Sequence, residues 1–110
     1  MSFSAHTKYV RYSPYKLRPI ADVIRGKDVL FALNWLRVHR VERAVPIRKT
    51  LESAVANAKD LKGIEAGNLV VREIRVDQGP AIRYFKPSAQ GRSAVQRKRL
   101  SHVSITLDEK

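Results

Sequence analysis

At 110 residues the chain fits one domain with a real but modest core, and its 22 Lys and Arg against 10 Asp and Glu give a formal charge of +12. The absence of cysteine excludes disulfides, thiolate metal sites and thiol catalysis, and no apolar run approaches the roughly 20 residues that span a bilayer. A chain this basic is expected to meet nucleic acid, an anionic membrane or an acidic partner. The start, Met1 to Lys8, lacks the apolar core of a signal peptide, and 44% hydrophobic residues is too many for a disordered chain. The expectation is a soluble, cytoplasmic, single basic domain spanning 1–110.

In chain order, about Ala5 to Tyr12 has strand propensity through Thr7, Tyr9, Val10 and Tyr12. Ser13-Pro14 reads as a helix start, with serine able to accept from a first-turn N–H and proline having no N–H to lose. Leu17, Ile20, Ala21 and Ile24 follow at helical spacing, and Gly26 stands where a left-handed cap is expected. Pro19 falls inside this helix, early enough to tighten its first turns without breaking it. Asp28 restarts a short helix with Val29, Ala32, Leu33 and Leu36 on one face. The longest helix is expected over about Val41 to Leu61, on a stripe of Ile47, Leu51, Ala54, Val55, Ala58 and Leu61. Pro46 either starts that helix or kinks it. Gly63 and Gly67 close the helical pattern before a β-branched strand, Leu69 to Val76. Val103, Ile105 and Leu107 alternate with polar residues, as in a half-buried strand. Helices followed by strands give an α+β layout, the helices covering one face of a small antiparallel sheet. Leu17, Ile20, Ile24, Leu33, Leu51, Val55, Val76, Val103 and Ile105 are its candidate core.

The connection between the last two strands is the most informative feature. No acid occurs between Asp77 and Asp108, a stretch that carries Arg83, Lys86, Arg92, Arg97, Lys98 and Arg99. Antiparallel strands need only about 2–5 loop residues, so the excess length calls for a reason. Ile82, Tyr84 and Phe85 can prolong one strand and Val95 to Leu100 its return, giving a long hairpin that turns near Pro87 to Gly91. At about 3.3 Å per residue such an arm reaches roughly 45 Å. The body then covers about 1–79 and 97–110 and the arm about 80–96. Arginines supply bidentate phosphate contacts, and exposed aromatics such as Tyr84 and Phe85 can stack on splayed bases. A ribbon of this composition is expected to bind RNA.

A second basic group, Lys8, Arg11, Lys16, Arg18, Arg25 and Lys27, faces only Asp22 in the first 27 residues. Lys16 and Arg18 lie near a helix N-terminus, where unpaired N–H groups also favour phosphate. An enzyme reading finds no support. Ser101 and His102 are adjacent on a strand and point to opposite faces, and His6 and His39 lack metal-ligand spacing. No Gly-rich phosphate loop precedes a helix. Trp35 and Phe31 read as core or interface anchors. Asn57 is the polar group in a small-residue stripe, bonded either to neighbouring backbone or to an external partner.

Six short motifs stand in a telling order: Ser13-Pro14-Tyr15-Lys16-Leu17-Arg18, Ile24-Arg25-Gly26-Lys27, Ser53 to Ala58, Val76-Asp77-Gln78-Gly79-Pro80, Gly91-Arg92, and Lys98 to Val103. Together they resemble the bacterial-type large-subunit ribosomal protein family L-twenty-two, from about Lys8 to Leu107. The resemblance implies three helices packed on a small three-stranded antiparallel sheet with a long protruding β-hairpin. It implies a structural protein of the large ribosomal subunit that supports assembly, without catalytic activity, metal or cofactor. Its implied partners are large-subunit rRNA of the 23S type, neighbouring large-subunit proteins and the nascent peptide, with no membrane and no small-molecule substrate. The rRNA-binding set is the two basic groups with Tyr84 and His102. The tunnel-lining tip is Pro87, Ser88, Ala89, Gln90, Gly91 and Arg92. The family usually has basic residues where this chain has Tyr15, Ser88 and Gln90, so the tip is less positive than typical. A nonspecific DNA-architectural protein is the rival reading. Such arms carry a wedge residue at the tip, and Ser88-Ala89-Gln90 offers none.

Overall fold

Strand β1 (Ser2–Val10) leads into helices α1 (Pro14–Ile24), α2 (Val29–Val38) and α3 (Ala44–Lys62), followed by strands β2 (Leu69–Pro87) and β3 (Ser93–Glu109). The computed structural model describes the backbone of residues 2–39, 41–87 and 93–110, and the side chains of these apart from 80–87 and 93–98. The strands form one antiparallel sheet in the order β1-β3-β2. This is the expected α+β architecture, with the last strand of the chain at the centre of its sheet.

The sheet turns one face to the helices. Phe3, Ala5, Val71, Ile74, Val76, Val103, Ile105 and Leu107 are buried from the strands, against Leu17, Ile20, Ile24, Leu33, Ile47 and Leu51 from the helices. Fully burying each large aliphatic side chain is worth about 1.5–3 kcal/mol, so this layer is what holds the fold. All of the candidate core lies in it except Val55, which is only partly buried at its edge.

Local signals account for the helix ends, with corrections. Ser13 precedes α1 as expected, but its side chain makes no capping bond; its carbonyl accepts from Lys16 N–H at 3.1 Å. Gly26 takes φ +78°, a conformation that costs a glycine nothing. Its N–H donates to Val71 O at 2.9 Å, and Val71 N–H donates to Lys27 O at 2.9 Å. The turn after α1 thereby covers part of the free edge of β2. α3 starts at Ala44, not Val41, because Pro46 must fall in the first turn, where a missing N–H costs no helical bond. Its stripe also ends sooner than expected: Leu61 is 71% exposed, while Thr50, a polar residue, is buried. The Thr50 hydroxyl donates to Pro46 O at 2.7 Å, so Thr7 Oγ1, 2.6 Å away, must be the donor between the two threonines.

β1 begins three residues before the expected Ala5, because Phe3 and Ala5 alternate into the core, and it ends at Val10, short of Tyr12. Its pairing steps from Thr7↔Val103 to Val10↔Ser101, which leaves one extra residue on β1. On the other side of β3, the step from Gln78↔Ser101 to Ala81↔Arg99 leaves an extra residue on β2. These two bulges meet at Ser101, one opposite His102 and the other opposite Leu100, while a further step between Val71↔Leu107 and Glu73↔Thr106 lies within the body. Bulges bend and twist strands, and the two at Ser101 mark where the ribbon leaves the body. Beyond them β2 and β3 stay paired from Ala81↔Arg99 to Pro87↔Ser93, and the molecule measures 60 × 25 × 18 Å.

Candidate nucleic-acid interface

The first basic group runs from the end of β1 along α1 to the turn beyond it. Lys8 and Arg11 are exposed at the end of β1, Lys16 and Arg18 on the first turns of α1, and Arg25 and Lys27 beyond its last turn. These side chains do different work. Arg25 donates to Asp22 Oδ1 at 2.5 Å and to Ile74 O at 3.0 Å, and Arg18 donates to Val76 O at 3.3 Å. Both arginines therefore clamp α1 to the backbone of β2 while their outer donors face solvent. Among the described residues no carboxylate pairs with Lys8, Arg11, Lys16 or Lys27.

Aromatic rings stand among these cations. The Arg18 guanidinium lies 5.8 Å over the centroid of Tyr15, which is 71% exposed. Tyr12, Tyr15, Lys16, Pro19 and Arg43 line an open cleft of about 450 Å³, together with Val41 and the carboxylate of Glu42. Interleaved rings and cations of this kind suit stacked bases and phosphates.

The second group follows the ribbon. Arg83, Tyr84 and Lys86 lie on β2, and Arg97, Lys98 and Arg99 on β3, with Arg83 in register opposite Arg97 and Ile82 opposite Lys98. Arg99, at the root, is exposed. Arg92 and the tip residues Ser88, Ala89, Gln90 and Gly91 lie outside the described residues, and Pro87 closes the described ladder opposite Ser93.

His102 is the β3 residue opposite the β1 bulge. Its Nδ1 accepts from Tyr9 N–H at 3.1 Å, and its ring meets the Tyr9 ring edge-on, 5.1 Å between centroids and 86° between planes. A neutral His102 held this way carries its proton on Nε2. Ser101 faces the opposite way, fully buried, so no hydrogen bond joins the two, as their strand positions require. Tyr9 is, among the described residues, the one non-glycine with positive φ, at 60°. That conformation costs about 1–3 kcal/mol and persists only where the surroundings enforce it. Sequence reasoning missed this, since a bulge has no residue signature in Thr7-Lys8-Tyr9-Val10. Of the other polar residues, Asn57 Nδ2 donates to Ser4 O at 3.0 Å, a bond to neighbouring backbone. His6 pairs with Ser104 Oγ at 2.9 Å, and His39 stacks on Trp35 at 4.6 Å. Trp35 is part of the packing beside the core, while Phe31 is 48% exposed. No group of His, Asp and Glu among the described residues could hold a metal ion.

Residues 5–108 match the family model for ribosomal protein L22p/L17e. The chain belongs to this family. It is 46% identical over 103 residues to the large ribosomal subunit protein uL22 of Magnetococcus marinus, covering 94% of this chain and 91% of that one. It is 41% identical over 110 residues to the uL22 of Syntrophomonas wolfei, covering 100% and 97%, and 43% identical over 110 residues to that of Bdellovibrio bacteriovorus, covering 100% of both. The family is one of non-enzymatic, structural ribosomal proteins. No described helix is long and apolar enough to cross a membrane.

Proposed function

We propose that this protein is seated on large-subunit rRNA of the 23S type by two surfaces, and holds RNA segments distant in sequence in one arrangement. The body contributes Lys8, Arg11, Lys16, Arg18, Arg25, Lys27 and His102. The arm contributes Arg83, Tyr84, Lys86, Arg92, Arg97, Lys98 and Arg99. The arm's tip, Pro87 to Arg92, lines the nascent-peptide tunnel, and neighbouring large-subunit proteins complete the surroundings.

The observation that carries this reading is the paired ribbon beyond the bulges. A lone two-stranded ribbon is marginal in water, and this one sets Arg83 opposite Arg97 with no acid along its length. Like charges opposed across a ladder repel, and a surrounding array of phosphates relieves that repulsion. The relatives' name, large ribosomal subunit protein uL22, agrees with an RNA of that subunit as the partner. Sedimentation tests it. The protein is expected to travel with large subunits through a gradient and to leave only at high salt; release at low salt, or travel apart from the large subunit, contradicts it.

A further inference from the structure

Beside the β1 bulge lies a cleft of about 270 Å³ that takes in Lys8 and Arg11 of the first basic group and adds Tyr9, Val45, Pro46 and Lys49, which neither group includes. It runs between the end of β1 and the first turn of α3, with Tyr9, Val45 and Pro46 as its apolar lining and Lys8, Arg11 and Lys49 at its rim. All three rim cations are exposed, and none of the residues lining the cleft is acidic. Tyr9 is 61% exposed, held out of the core by its positive φ, and braced by the perpendicular His102 ring and by the bond from its N–H to Nδ1. Beyond its contact with the His102 ring, an aromatic side chain this exposed adds little packing to the free protein.

We infer that this cleft receives one unpaired nucleotide of the bound RNA, its base against Tyr9, Val45 and Pro46 and its flanking phosphates on Lys8, Arg11 and Lys49. The inference rests on the RNA-binding reading above. Apolar walls around a ring suit the face of a base, which any nucleotide offers, and cations at the edges suit the backbone on either side. Charge argues for this occupant over a peptide, because three cations and no carboxylate at the rim match a polyanion.

The test uses the full chain with a large-subunit rRNA transcript and reads affinity and base-by-base chemical probing together. Tyr9→Phe keeps the ring. Tyr9→Asn removes it while suiting the left-handed backbone, so the fold is retained. Tyr9→Asn is expected to weaken binding about 5- to 150-fold, the effect of losing one stacked base. One unpaired base protected by the wild type and by Tyr9→Phe should become reactive with Tyr9→Asn, the rest of the footprint standing. Lys49→Gln, on an exposed helix position, should expose the same base and lower the salt slope of binding by about one. Identical footprints and affinities for wild type, Tyr9→Asn and Lys49→Gln overturn the inference and leave the RNA-binding reading intact. A wild type that protects no base of the transcript overturns that reading itself.

Discussion

Ser101 Oγ donates to the carbonyl of Tyr12 at 2.6 Å, from a fully buried position on the central strand. This bond fixes the segment between β1 and α1 against β3, at the residue where the two bulges meet. Ser101→Ala strands the Tyr12 carbonyl, and an unsatisfied partly buried acceptor costs about 1–2 kcal/mol. Urea unfolding should show a lower midpoint at unchanged slope; an unchanged midpoint would mean that water replaces the hydroxyl.

Arg18 and Arg25 differ from Lys16 and Lys27 in having carbonyl partners on β2. Arg18→Gln with Arg25→Gln should lower stability by about 1–2 kcal/mol, mostly through the carbonyl bonds, because the exposed Asp22 pair contributes little. Lys16→Gln with Lys27→Gln should stay within about 0.5 kcal/mol of the wild type while weakening RNA binding. Equal stability of the two double variants would remove the clamp from the account.

Much of the fold was legible because the deciding signals are local. Pro14 and Gly26 bound α1 since one residue lacks an N–H and the other tolerates φ +78°, and Gly63 does the same for α3 at φ +66°. The alternation of Val103, Ile105 and Leu107 reads directly as one buried face. What stayed hidden depends on partners far along the chain. Thr50 is buried because Thr7 and Pro46 satisfy its hydroxyl, and Leu61 is exposed on the last turn of α3 because no other described element covers it there. The bulges, and with them the setting of Tyr9 and His102, follow from register against β3. Gly79 gained its meaning the same way: a Cβ there would stand 3.1 Å from Leu100 O and 3.2 Å from the His102 ring. In the interface, the cations were legible as charge, but not which of them already hold β2.

The arm is expected to be separable from the body. Ala81 and Arg99 are paired, so replacing Ile82 to Lys98 by Asn-Gly makes a two-residue hairpin at an existing register position. None of the candidate core residues read from the sequence lies in that segment. The shortened protein should unfold cooperatively with a loss of no more than about 1–2 kcal/mol. It should still enter large subunits on its body, while stalling by tunnel-sensing nascent peptides changes. Loss of cooperative unfolding would place the arm in the core; normal incorporation with unaltered stalling would remove the tip from the tunnel.

The central claim is that phosphate neutralisation seats this protein, and salt dependence measures it most directly. Each neutralised phosphate releases counterions, so the logarithm of the binding constant falls linearly with the logarithm of salt concentration, by about 0.7–0.9 per phosphate. Filter binding of the full chain to large-subunit rRNA should give a slope of magnitude about 4 or more, and neutralising Arg97, Lys98 and Arg99 together should reduce that slope by about 2 to 3. A wild-type slope near zero would contradict the account.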